Sequence, residues 1–298
     1  MASRDAVPLL AGMEAGGTKF VLATGHSPRE IVARTVIPTT TPQETLAEVT
    51  RWFAQHGPAV ALGIASFGPV ELDRASRNWG HITDTTKPGW MQTDMAGPLG
   101  QALACPVGFD TDVNGAALAE ASYGAGEGGS SLAYITVGTG IGVGLVTGGR
   151  TVHGAGHPEM GHIFPRRDPD DFDFPGHCPF HGDCMEGLAS GPAIIARWGA
   201  KLSDLPPDHP AHTYVAGYLA HLCHTTFSTV AVETIVLGGG VMQTPGLLDA
   251  VREKTFALGA EYLPGRSRQQ IVAPKLGQDS GISGALQLAA RAFEGAYE

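Results

Sequence analysis

Residues 9–25 read LLAGMEAGGTKFVLATG, and residues 131–149 read SLAYITVGTGIGVGLVTGG. Each is an apolar run, a tight turn of glycine and threonine, and a second apolar run. The turns are Gly16-Gly17-Thr18 and Gly138-Thr139-Gly140. Two apolar runs broken by so short a glycine turn predict a β-hairpin. The same design twice, about half a chain apart, predicts two similar lobes. Between and beyond the hairpins, strand and helix alternate. AVALGIASFGPV (59–70) reads as a buried strand ending in a Gly-Pro turn. PVGFDTDVNGAALAEASYG (106–124) reads as a short strand running into an alanine-rich helix that stops at Gly124. VETIVLGGGVMQTPGLLDAVREKTF (232–256) is strand, glycine-rich turn and helix, and SGISGALQLAARAFEG (280–295) is a final amphipathic helix. No low-complexity linker divides the halves. The expectation is an α/β protein of two similar lobes with a cleft between them.

Composition narrows the function classes. The 298 residues are 43% hydrophobic and 16% charged, which describes a globular chain with room for about two domains. A formal net charge of -10 disfavours a sequence-independent grip on nucleic acid, which needs Lys and Arg facing phosphates. No apolar run nears the roughly 20 residues that span a bilayer. The start, MASRDAVPLLAGMEAGG, lacks the charged head, apolar stretch and cleavage site of a secretory signal, so the cytoplasm is the expected compartment. Four cysteines in so long a chain do not make a disulfide framework. Cys105 and Cys223 lie in apolar surroundings and are expected to be core thiols.

The glycine turns suit phosphate. Backbone N–H groups in a tight turn bind phosphate best where no Cβ blocks the approach. Gly16-Gly17-Thr18 and Gly138-Thr139-Gly140 fit, and each adds a threonine hydroxyl. Gly238-Gly239-Gly240, at a strand end, would let a nucleotide's sugar and base lie flat against backbone. The chain has no G-x-x-x-x-G-K-[ST] loop, and no G-x-G-x-x-G follows its first strand. Taken singly, each turn is an ordinary hairpin glycine. Three of them alternating with buried strands favour a phosphate site split across a cleft.

GFDTDVNGAALAE places Asp110, Asp112 and Asn114 where a strand gives way to a helix. Ligands of open α/β sheets meet the carboxyl ends of strands. Phosphoryl transfer to a sugar hydroxyl needs positioning, Mg²⁺ and a carboxylate that accepts the hydroxyl proton. One of these aspartates fits that role. Equally, Asp112 can serve only to cap the helix.

Within GHIFPRRDPDDFDFPGHCPFHGDCMEG (161–187), residues 166–183, rich in Asp, Pro, His and Cys, break the alternation as a loop insertion. Cys178, His181 and Cys184 form C-x2-H-x2-C, with His162 upstream; two thiolates and two imidazoles make a tetrahedral zinc set. His177 and His157 compete as ligands. Four protein ligands imply a closed, structural zinc. The intervening acids, Asp168, Asp170 and Asp171 among them, read as a solvated face, and they argue against a nucleic-acid finger around Arg166 and Arg167.

Together, MEAGGTKF, FDTDVNGAALAE, TVGTGIGVGLV, GHPEMGH, CPFHGDCMEGLASGPAI and VLGGGVM resemble the ROK family of sugar kinases, nearest its bacterial fructokinase branch. The resemblance runs nearly end to end. It implies the two-lobed actin/hexokinase-like (ribonuclease H-like) fold. Residues 1–115, completed by a C-terminal helix at about 282–298, would form one lobe; residues 116–281, with the zinc loop, would form the other. It implies ATP-dependent phosphorylation of a hexose, with Mg²⁺ and structural zinc, by a homodimer that takes no nucleic acid or membrane partner. Asp112 would be the base, and Asn114 would support the helix start. Gly16, Gly17, Thr18, Lys19, Thr139 and Gly140 would face the phosphates. Gly238 and Gly239 would border the adenosine. Glu159 and Glu186 would hold sugar hydroxyls, kept in place by zinc on His162, Cys178, His181 and Cys184.

The chain departs from many relatives by carrying Glu14 for Asp in the first phosphate motif and Thr111 for the Asn before the base. A longer carboxylate can still organise hydrated Mg²⁺. The shorter hydroxyl removes one sugar contact and makes glucose less favoured; fructose is the expected acceptor, with mannose, glucose and N-acetylated hexosamines as the alternatives. HITDTTKPGW (81–90), with Lys87 and Trp90, is expected to wall the sugar pocket. Family members that repress transcription carry a helix-turn-helix ahead of the kinase-like part. Here the first hairpin begins near Gly12, so the enzyme reading is preferred.

Overall fold

The computed structural model describes residues 7–295. The chain folds into two compact units. The first takes the chain up to Ala119, Thr151–His157 and the chain from Gln278 onward; the second takes Glu120–Arg150 and Pro158–Gly277.

The first unit opens with β1 (Leu10–Ala15), β2 (Lys19–Ser27) and β3 (Glu30–Pro38), then α1 (Pro42–Ala54), β4 (Ala61–Ser66), α2 (Ala96–Leu103), β5 (Val107–Thr111) and the start of α3 (Asp112–Tyr123). β1 and β2 form the expected hairpin, pairing from Leu10–Gly25 to Ala15–Phe20 around the glycine turn. β4 then joins β1 in parallel, and β5 joins β4. The sheet order is β3-β2-β1-β4-β5. Thr41 starts α1 cleanly: its side chain accepts the Glu44 N–H, and Pro42 fills the first turn, where no N–H is needed.

The second unit repeats the plan. β6 (Ser131–Val137) and β7 (Ile141–Thr147) form the second hairpin, and β8 (Arg150–Thr151) lies at the unit boundary. There follow α4 (Met185–Ala189), α5 (Gly191–Trp198), α6 (Pro210–Thr229), β9 (Thr234–Gly238), α7 (Leu247–Gly259) and β10 (Gln270–Val272). β9 joins β6 in parallel and β10 joins β9, giving β10-β9-β6-β7-β8. Read from its β8 end, this is the order of the first sheet: third strand, second, first, fourth, fifth. Among the described residues no helix is long and apolar enough to cross a membrane.

The last helix, α8 (Ser280–Phe293), packs on the first sheet through glycines rather than large side chains. A Cβ on Gly63 of β4 would stand 1.8 Å from the Ala285 carbonyl oxygen and 2.5 Å from the Ala289 nitrogen. A Cβ on Gly284 would stand 2.2 Å from the carbonyl carbon of Gly115, in the first turns of α3. Backbone therefore meets backbone under the helix that begins at Asp112. Gly63→Ala is expected to destabilise the protein by at least about 3 kcal/mol, because neither neighbour is a side chain that can turn away. The check is a lower urea midpoint at unchanged slope.

Two expectations about packing are corrected. Trp90 does not wall a pocket: it is fully buried, its Nε1 donates to the Thr40 carbonyl at 2.9 Å, and its ring packs on Phe20 and Phe67. An indole whose one donor has found a partner is a core residue. Lys87 is half-buried nearby. Cys223 is a core thiol, with burial pushing its pKa up to about 12, whereas Cys105 is only half-buried.

Candidate active site and metal centre

Asp112 stands at the carboxyl end of β5, as the first residue of α3. Which residue caps the helix is shown by the hydrogen bonds of its first turn. The Thr111 hydroxyl accepts the Asn114 N–H at 3.1 Å, which is the capping bond, while Asp112 Oδ1 takes the adjacent Val113 N–H at 2.8 Å. Capping is thus the work of Thr111. Asp112 is half-buried, and burial raises its pKa from 3.8 to about 6, against the pull of the Val113 N–H and its own N–H. A carboxylate poised there is suited to accept a hydroxyl proton near neutrality.

Glu14, on β1, shares this corner. Burial first, and then the charge on Asp112, raises its pKa from 4.5 to about 7; Lys19 and Arg34 oppose this, and Asp279 adds to it. Two carboxylates that resist ionising together fit a divalent cation, which relieves their repulsion. Beside them the turn residues Gly17, Thr18 and Lys19 are exposed, with the Gly16 N–H closing onto the Lys19 carbonyl at 3.0 Å and the Thr39 hydroxyl donating to the Gly16 carbonyl at 2.8 Å.

Behind Asp112 lies a network that no local sequence pattern announced. The buried Asp110 accepts from Asn114 Nδ2 at 2.7 Å, from the Thr151 hydroxyl at 3.0 Å and from His153 Nε2 at 3.1 Å. The Asp110 hydrogen bond raises the His153 pKa above the usual histidine value, against the effect of partial burial. Thr151 and His153 lie about forty residues downstream, and only the fold brings them back.

In the second unit, the Gly138 N–H closes onto the Gly140 carbonyl at 2.9 Å, and the Gly191 N–H at the start of α5 donates to the Gly138 carbonyl at 2.8 Å. Thr139 is exposed. Glu186, on α4, accepts the Ile141 N–H at 3.0 Å, and a Cβ on Gly140 would stand 2.7 Å from that carboxylate. Gly239 has φ +94°, and a Cβ there would strike the Val137 carbonyl oxygen at 2.4 Å; Gly238 is buried against the Tyr134 hydroxyl.

The four Cys and His residues of the expected metal set lie together. One atom each of His162, Cys178, His181 and Cys184 lies within 4.8 Å of the others. Cys178 Sγ is 3.8 Å from Nδ1 of both His162 and His181, and Cys184 Sγ is 3.6 Å from His162 Nδ1. Zinc bonds to sulfur and nitrogen at a tetrahedral angle give an S–N edge of about 3.6 Å, so the set fits zinc. His162 Nε2 lies 4.0 Å from the Glu159 carboxylate, close enough for charge attraction but beyond a hydrogen bond. The knuckle closes by paired backbone bonds between Cys178 and Gly182, with Gly182 at φ +58°.

Both competing ligands are excluded. His157 Nε2 accepts the Val70 N–H at 3.1 Å, and His177 is exposed outside the cluster. The acids of the loop are not simply a solvated face. Asp171 is fully buried, paired with Arg197 and bonded by the Tyr218 hydroxyl. Arg167 binds Asp183 at 2.9 Å and the Phe174 carbonyl at 2.8 Å. Asp168 accepts the Asp170 N–H at 3.0 Å.

Two hairpin-led sheets of one topology, each with a glycine turn, define the actin/hexokinase-like class. The ROK family matches residues 10–292, and the chain belongs to that family. It is 48% identical over 285 residues to the fructokinase of Zymomonas mobilis subsp. mobilis, covering 93% of this chain and 95% of that one. It is 43% identical to a putative fructokinase of Bacillus subtilis, covering 96% and 97%. Its fold is similar to that of a ROK glucokinase from Streptomyces griseus in complex with glucose and AMPPNP, with a TM-score of 0.75, 25% identity, and coverage of 95% and 99%.

Proposed function

We propose that the protein transfers the γ-phosphoryl group of ATP to the 6-hydroxyl of fructose. The observation that carries this reading is Asp112, a half-buried carboxylate at a strand end whose capping duty Thr111 performs. The fructokinase name borne by relatives at 48% and 43% identity supports fructose as the acceptor.

The sugar hydroxyl attacks the γ-phosphorus, its proton passes to the Asp112 carboxylate, and the bond to ADP breaks. Asn114 and Asp110 hold the base by fixing the first turn of α3. The turns Gly16–Lys19 and Thr139–Gly140 face the phosphates, and Gly238 and Gly239 border the adenosine. Glu14 would hold hydrated Mg²⁺, which when bound neutralises phosphate charge. Glu159 and Glu186 bond sugar hydroxyls, and zinc on His162, Cys178, His181 and Cys184 keeps that loop in shape. The enzyme acts in the cytoplasm as a homodimer. Phe164, Phe172 and Phe180, each about two-thirds exposed on the insertion, support such a partner surface.

The test is ADP release over fructose, mannose, glucose and N-acetylated hexosamines. Fructose is expected to give the highest kcat/KM. Turnover on no sugar refutes the kinase and favours a sugar sensor; preference for another hexose refutes only the acceptor.

A further inference from the structure

Residues Thr151–His157 are an excursion. The chain has crossed into the second unit at Glu120, yet these residues belong to the first, before Pro158 returns to the second. An imidazole fastens the excursion at each end. His153 Nε2 donates to Asp110 at 3.1 Å, beside the Thr151 hydroxyl on the same carboxylate. His157 Nε2 accepts the Val70 N–H at 3.1 Å, and its ring stands 3.5 Å from where a Cβ on Gly68 would be. That bond fixes the His157 proton on Nδ1. Asp110 is the fourth residue of β5, and Gly68–Val70 follows the end of β4. The excursion therefore spans the carboxyl ends of two parallel strands, the edge where ligands of such sheets bind. Glu159 comes two residues after His157.

We propose that His153 and His157 are positioning residues for the phosphoryl acceptor. They strap residues 151–157 across the ends of β4 and β5, so that the wall beside Asp112 and the start of the chain leading to Glu159 hold one conformation. Asp110 serves both halves of this device. It orders the first turn of α3 through Asn114 and the strap through Thr151 and His153. The inference rests on the sugar-kinase reading and adds acceptor-positioning residues to it.

The experiment compares His153→Phe, His157→Phe and His157→Gln with the parent, by steady-state kinetics and by amide exchange at Val70. Each Phe variant is expected to raise the sugar KM about tenfold, with kcat and the ATP KM within about twofold. Gln at 157 keeps an acceptor for the Val70 N–H and is expected to recover most of the loss. Val70 exchange should quicken in His157→Phe and stay slow in His157→Gln. Unchanged sugar KM in both Phe variants, or equal rises in both substrates' KM, overturns the proposal. A parent enzyme inactive on every hexose removes the kinase reading, whereas unaltered Val70 exchange in His157→Phe removes the strap whatever the sugar.

Discussion

Asp112→Asn is expected to lower kcat about a thousandfold while the sugar still binds and the protein becomes more stable. The amide keeps the shape of the β5–α3 junction, and Thr111 continues to cap the helix, so positioning survives. What is lost is the proton acceptor. The gain in stability follows from linkage. The folded pKa of Asp112 is raised from 3.8 to about 6, so folding favours the protonated form. The associated stability is fully present below pH 3.8, fades as pH rises through about 6, and is absent at neutrality, where the parent carries the cost of a half-buried charge. Asn carries no such charge. Discounting for partial exposure, the variant should gain on the order of 1–2 kcal/mol at pH 8 and little at pH 4. In the parent, kcat/KM should fall as pH drops through about 6, because the base is then protonated. Near-normal turnover in the variant, or a pH profile flat from 5 to 8, would sink the assignment.

The two hairpins could be read from the sequence because little else satisfies an apolar run, a glycine turn and a second apolar run. Other elements carried no such constraint. α6 carries a stripe of Val215, Tyr218, Leu219 and Leu222, but it also buries Ala216, Ala220, Cys223 and Phe227 beside that stripe, so the apolar arc is wide and the helical period is blurred. β3 is an edge strand whose Val32 and Val36 remain exposed, so burial does not mark it.

The same divide runs through the site. The four residues that fit zinc lie close in sequence, with chemistry that depends on residue type and spacing. The partners of Asp110 and Asp171 do not. Thr151 and His153 stand 41 and 43 residues from Asp110, and the Asp171 carboxylate meets Arg197 from another helix. A run of acids looks solvated until the fold supplies its cations. Trp90 misled for a related reason: an aromatic beside a lysine suggests a pocket wall, but Phe20 and Phe67 close over it only in three dimensions.

Removing zinc is expected to weaken sugar binding far more than ATP binding. The protein as purified should hold about one zinc per chain, and Cys178→Ser should hold little. Without metal, the buried thiols of Cys178 and Cys184 and the imidazoles of His162 and His181 lose their common partner. Arg167 and Arg197 still hold the middle of the loop, so the insertion loosens at its two ends rather than unfolding throughout. Those ends carry the two carboxylates proposed to hold the sugar. Glu159 lies three residues before His162 and against its imidazole, and Glu186 lies two residues after Cys184. A sugar KM raised at least about tenfold is therefore expected, with the ATP KM within about threefold, since the turns at Gly16–Lys19 and Thr139–Gly140 make no zinc contact. Chelation followed by excess Mg²⁺ should reproduce the effect, and added Zn²⁺ should reverse it in the parent but not in Cys178→Ser. Native protein without zinc, or a metal-free variant with unchanged sugar KM, would show that the loop holds its carboxylates unaided.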